Sequence, residues 1–95
     1  MTDIEYMYVA TCKSLIASIK EQINGYVHTD YKIDAKVCVV DIRFKDIEYR
    51  HIVSNFDKFV YEGGIDQLAI VIVGAYKKYV NSIIMRKKEP CTLCV

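Results

Sequence analysis

The chain has 95 residues, 53% of them hydrophobic and 12% aromatic, with four cysteines, no tryptophan and a formal net charge of +1. That length supports one domain around one modest core, and the apolar content excludes a disordered chain. The balanced charge excludes a general pull toward nucleic acid or a membrane surface, although residues 1–64 hold eight basic and ten acidic side chains and residues 65–95 hold five and two.

Residues 3–24 read as an amphipathic helix, with Tyr8, Cys12, Leu15, Ile16, Ile19 and Ile23 along one stripe. Thr2 and Glu5 have the spacing of a capping box, and Asn24-Gly25 supplies a left-handed residue to end the helix. The opposite face carries Ala10, Ser14, Ala17 and Ser18, which suit either a solvated face or the close approach of a second backbone.

Val27, Thr29, Tyr31 and Ile33 then alternate with His28, Asp30 and Lys32, the pattern of a strand, and a turn at Asp34-Ala35 sets Tyr31 beside Cys38. A two-residue loop at Lys45-Asp46 fixes the next hairpin. It pairs Phe44 with Ile47, Ile42 with Tyr49, Val40 with His51 and Cys38 with Val53 on one face. The other face then sets Arg43 against Glu48, Asp41 against Arg50 and Val39 against Ile52, so a single register yields two opposite-charge pairs and an apolar pair. Lys-Asp is a poor substitute for Asn-Gly in such a turn, which leaves a longer loop open.

Ser54 and Asn55 are capping types ahead of Phe56, Phe59, Val60 and Tyr61, a short helix that stops at Gly63-Gly64. Residues 65–88 form the most apolar segment, a long helix with Leu68, Ile72, Ala75, Tyr76, Tyr79 and Ile83 on its core side. Asp66 is placed to cap its start and Ile65 to pack on Ile70 as a hydrophobic staple. Arg86, Lys87 and Lys88 complement the dipole at its end, and Pro90 prevents continuation. Ile70, Val71 and Val73 fall outside or at the margin of the core stripe, so the first half of this helix is apolar nearly all round and needs cover on more than one side. The longest unbroken apolar run, Leu68 to Tyr76, is nine residues. That is about half of what spans a bilayer, and Met-Thr-Asp-Ile-Glu-Tyr lacks the character of a signal peptide, so the expected location is the cytoplasm with thiols reduced.

Two stretches, Ile42-Arg43-Phe44-Lys45-Asp46-Ile47-Glu48-Tyr49 and Ala75-Tyr76-Lys77-Lys78-Tyr79-Val80, give residues 38–88 a distinctive texture. In this the chain resembles the short Ile-, Lys- and Tyr-rich proteins carried by bacteriophages and prophages of AT-rich bacterial genomes. Some of those are counter-defence, anti-CRISPR-like inhibitors that bind and block host machinery. The resemblance implies a protein partner in the host and supplies no site residues.

Candidate chemistry is sparse. Cys91 and Cys94 form a C-x-x-C that could join Cys12, Cys38, His28 and His51 at a zinc ion. No second close pair accompanies it, and Cys12 and Cys38 both point to the core, so buried thiols are the expectation and no metal or cofactor is assigned. A redox C-x-x-C belongs at a helix start, whereas this one follows a proline. His51 is expected inside, hydrogen-bonded to backbone or a tyrosine, and Asp41 lies on the other face, so no acid-base pair or nucleophile set assembles. The element order resembles that of double-stranded RNA-binding domains, but their lysine cluster at the start of the final helix is replaced here by Ile65 to Ile72.

These readings predict an α+β domain over residues 1–89, in the order helix, three-stranded antiparallel sheet, short helix, long C-terminal helix, followed by a flexible tail at 90–95. The sheet is covered on one face by the first and last helices. The expected function is a non-enzymatic protein-interaction module, a homodimer in the cytoplasm that inhibits a host factor and takes no cofactor. Its contact surfaces are Ile70, Val71 and Val73 on the last helix and Val37, Val39 and Ile52 on the sheet. The alternative is a nucleic-acid-binding regulator that uses Lys77, Lys78, Arg86, Lys87 and Lys88.

Overall fold

The computed structural model describes residues 3–88, with side chains through residue 85, in the order α1 (Asp3–Lys20), β1 (Tyr26–Lys32), β2 (Val37–Phe44), β3 (Ile47–Ser54), α2 (Phe56–Glu62) and α3 (Ile65–Lys88). Thr2, Pro90, Cys91, Cys94, the tail from residue 90 and the side chains of Arg86, Lys87 and Lys88 lie outside the described residues. The fold is the α+β arrangement expected from the hydrophobic periodicities, with an antiparallel sheet in the order β1-β2-β3.

Every pairing expected for the β2–β3 hairpin is present, from Cys38 with Val53 to Phe44 with Ile47 across the Lys45-Asp46 loop. The loop stays at two residues because Lys45 itself adopts a left-handed conformation (φ 57°) and places its ammonium 5.4 Å from the centre of the Phe44 ring. Tyr31 sits opposite Cys38 as the turn at Asp34-Ala35 requires. That turn closes when the Lys36 amide donates to the Ile33 carbonyl, and the Lys36 carbonyl then accepts from the Phe56 amide at 2.8 Å, tying the first hairpin to the start of α2.

Side chains alternate across the sheet as the pleat demands. Val27, Cys38, Val40, Ile42 and Val53 are buried beneath the helices, where they meet Tyr8, Cys12, Leu15 and Ile19 of α1, Phe56 of α2, and Leu68, Ala69, Ile72, Val73 and Tyr76 of α3. Tyr8 lies between Tyr31 and Phe56, with ring centres 5.6 and 5.7 Å away. This one-sided layer is what a half-apolar sheet needs to hide its apolar face.

The helix ends depart from expectation. α1 stops at Lys20 and tightens through a bond from the Gln22 amide to the Ile19 carbonyl. Gly25 therefore does not cap it. Its backbone (φ 147°) passes so close to β2 that an added Cβ would lie 2.9 Å from the Arg43 carbonyl oxygen, so glycine is required by the neighbouring strand. Asn55 precedes α2 in a left-handed conformation and makes no side-chain cap. α3 begins two residues earlier than Asp66 requires for a cap. The first-turn carboxylate of Asp66 accepts instead from the Ser18 hydroxyl at 3.4 Å, across the α1–α3 contact.

Candidate interaction surface

Two faces of this fold are left uncovered by the described residues. The first is the side of the sheet away from the helices. Cross-strand pairing brings Tyr26, Arg43 and Glu48 into one row, His28, Asp41 and Arg50 into the next, and Asp30, Val39 and Ile52 into a third. Arg43 reaches Glu48 at 2.9 Å, and the Arg50 Nε donates to Asp41 at 2.8 Å, a bond that raises the guanidinium pKa. Both are exposed pairs, which fix orientation and contribute little stability. The Tyr26 and His28 rings stack nearly parallel, 6.5 Å between centres, and with the two guanidinium groups they border a shallow groove. Ile52 is 62% exposed at the apolar end of this face, while Val37 and Val39 are half-buried beside it.

The second face is the outer side of α3. Ile70 and Val71 are each 60% exposed and, with Gly74, Ala75, Lys77, Lys78 and Asn81, outline a second shallow groove. Val73 does not belong to it. At 3% exposure it is a core residue, and the expectation that it contributes to a partner surface is corrected. Tyr79 moves the other way and is 41% exposed, so the buried stripe of α3 is rotated from the expected one, toward Ala69 and Val73. α1 packs along α3, joined to it through Ser18 and Asp66, and Val73 lies in the core that the helices share with the sheet. Farther along, Ile84 and Met85 are also exposed. A helix of 24 residues is about 36 Å long, more than the strands can underlie, and the molecule measures 59 Å along its greatest dimension.

No family model, curated protein or solved structure matches the chain.

The described residues weighed for chemistry are separated or occupied. The Tyr49 hydroxyl lies 2.8 Å from the Nδ1 of His51, the tyrosine partnership expected for an inward histidine, and the Tyr49 ring packs against Tyr76 and Tyr79 at 6.1 and 5.3 Å. Burial pushes the Tyr49 and Tyr76 hydroxyls above their ordinary range. Cys12 and Cys38 meet in the core with their sulfurs 3.9 Å apart. The hydrogen bond that Cys38 donates to Cys12 in this protonation state, together with burial, holds Cys38 as a neutral thiol with its pKa well above the usual value. His28 is on the opposite side of the sheet from this pair. Among the described residues no three His, Cys, Asp or Glu side chains converge as metal ligands.

Reasoning from the sequence missed Tyr26 and Ile84, while helical spacing already sets Met85 opposite the core side. Tyr26 was in principle visible, since extending the β1 alternation back by one residue places it outward with His28. Ile84 could not be assigned before the rotation of α3 was known. The expectation that no segment is long enough to cross a bilayer also needs correction. It rested on unbroken runs, whereas Ile65–Met85 as a helix has 21 residues and a mean hydropathy of 1.4, enough by length and composition alone. Five of its residues are buried in the core of the domain, as in many core helices.

Proposed function

We propose that this protein is a non-enzymatic interaction module of the cytoplasm, of the kind phages use to bind and block a host factor. The observation that supports this reading is that large aliphatic side chains stay exposed on rigid elements at both uncovered faces: Ile52 on the sheet, Ile70 and Val71 on α3. The sheet face is the one that suits a foreign protein. Tyrosine and arginine are the types enriched where interfaces are strongest, and here Tyr26, Arg43 and Arg50 share one face of the sheet with Ile52, Val39 and Val37, which lie toward its other end. The paired carboxylates of Asp41 and Glu48 hold both guanidinium groups in place and cancel their charge, which disfavours a phosphate backbone as the ligand.

The test is affinity capture from bacterial lysate with the wild-type chain and with Ile52→Arg, read by mass spectrometry, beside a gel-shift titration across salt concentration. A host protein recovered by wild type and lost with Ile52→Arg supports the reading. Identical recovery by both chains, or none by either, refutes it. Nucleic-acid binding that weakens steeply with salt and depends on Lys77 and Lys78 would favour a regulator acting through the basic half of α3.

A further inference from the structure

We propose that α3 pairs with α3 of a second copy of this chain, antiparallel, across a two-fold axis at Gly74. The proposal rests on the interaction reading and assigns the occupant of its helical face.

At 100° per residue, Gln67, Ile70, Gly74, Lys78, Asn81 and Met85 fall in one strip of the helix, opposite the buried line through Leu68, Ile72 and Tyr76. Gly74 is at its centre, and nothing among the described residues explains it. Its φ is not positive, and a Cβ built on it would meet no atom within 4 Å. Glycine is the least favourable residue in a helix interior after proline, so alanine would serve a solitary chain better. A second helix crossing at this point gives the missing side chain a use, because the two backbones can approach closely there.

Charge fixes the occupant and the direction. Before Gly74 the helix carries Asp66 and no base, and after it Lys77 and Lys78 with no acid as far as Lys88. An antiparallel copy therefore sets each lysine-bearing half against the half that carries Asp66 and no base, and opposes the two helix dipoles. A parallel copy would stack lysine on lysine. In the antiparallel register Gln67 meets Asn81, amide to amide. Ile70 and Val71 meet the methylene stems of Lys78 and Lys77, whose ammonium groups extend toward Asp66 of the other copy. The protruding end completes the fit. Met85 reaches the level of the Gly63-Gly64 step of the second copy, where an open groove between Ala10, Ser14, Val60 and Gln67 can receive it. Lys77 and Lys78 also make a bilayer the poorer host for this helix, since they would lie at its mid-depth.

The test uses the full chain with Cys91→Ser and Cys94→Ser, so that added cysteines report alone. Sedimentation equilibrium is expected to show a dimer of the 11.0 kDa chain. Gly74→Leu should weaken it at least tenfold while far-UV circular dichroism stays unchanged. Lys77→Glu with Lys78→Glu should weaken it similarly, with recovery when Asp66→Lys is added. Under glutathione disulfide, Gly74→Cys should cross-link to itself, and Gln67→Cys should cross-link only when mixed with Asn81→Cys. Self-linking of Gln67→Cys would overturn the antiparallel pairing, as would a chain that is monomeric at all concentrations or that leaves the dimer for lipid vesicles in a flotation assay. A monomer that still recovers a partner through Ile52 overturns this proposal and leaves the interaction reading standing. A dimer that recovers no partner does the reverse.

Discussion

Ile70 and Ile72 are two residues apart on α3, and truncating each to alanine asks which side of the helix the core occupies. Ile72 is fully buried, between α1 and the sheet, while Ile70 is 60% exposed. Ile72→Ala removes three carbons at about 0.8 kcal/mol each, and the void left in a layer that cannot fully collapse brings the expected loss to about 3–4 kcal/mol. A 95-residue domain has roughly 5–14 kcal/mol in total, so the variant should still fold, with its midpoint lowered by roughly 15–25 °C. Ile70→Ala removes the same three carbons from a site already in water and gains helix propensity, so its effect should stay within about 0.5 kcal/mol. Urea titration followed by circular dichroism measures both, at a protein concentration low enough to keep the chain monomeric. Equal losses at the two positions would refute the orientation of α3 on which the outward face depends.

Three further outcomes follow from the same contacts. Lys45→Gly should stabilise the hairpin by about 1 kcal/mol in thermal melts, because it relieves a left-handed lysine at the cost of a weak ring contact. Tyr49→Phe should cost about 1 kcal/mol by urea titration, since it leaves the Nδ1 of His51 without its partner while preserving the ring packing against Tyr76 and Tyr79. Stability should also fall on the alkaline side. The Cys38 pKa is raised in the folded chain, so its stabilising contribution is intact below the ordinary thiol range, about pH 8.5, and declines above it as the unfolded chain ionises first. Tyr8, Tyr49 and Tyr76, raised mainly by burial, extend the decline beyond about pH 10, and a series of melts from pH 7 to about pH 11 would measure it.

The β2–β3 hairpin was legible in the sequence because two independent signals agree on one register: a period of two in hydrophobicity and two opposite-charge pairs on the same face. α3 was legible as an element and not as an orientation. From Leu68 to Val73 it is apolar on nearly every side, so periodicity places Ile70 outward but leaves the edges of the buried stripe unset, and packing in the folded chain takes Val73 in and leaves Tyr79 partly out. The caps failed for a related reason. Asp66 and Asn55 are residue types that can satisfy a helix start, yet Asp66 is taken by Ser18 on another helix and Asn55 is used for its tolerance of left-handed backbone. Gly25 looked like a helix stop and is instead a clearance against Arg43, a contact with a residue far along the chain. The candidate surface was half visible on these terms: Ile52 from hairpin register, Ile70 and Val71 from excess apolarity, and Val73 misassigned with them.

The helices shelter only one side of the sheet, and the exposed flank of α3 turns away from the other. The hydrophobic core therefore stands between the two bare faces, and a body docked on one does not crowd a body docked on the other. Such a chain can serve as a bracket. Two copies joined back to back along α3 would hold two identical sheets looking outward, and a target with more than one binding spot would then be gripped by avidity rather than by the strength of either contact alone.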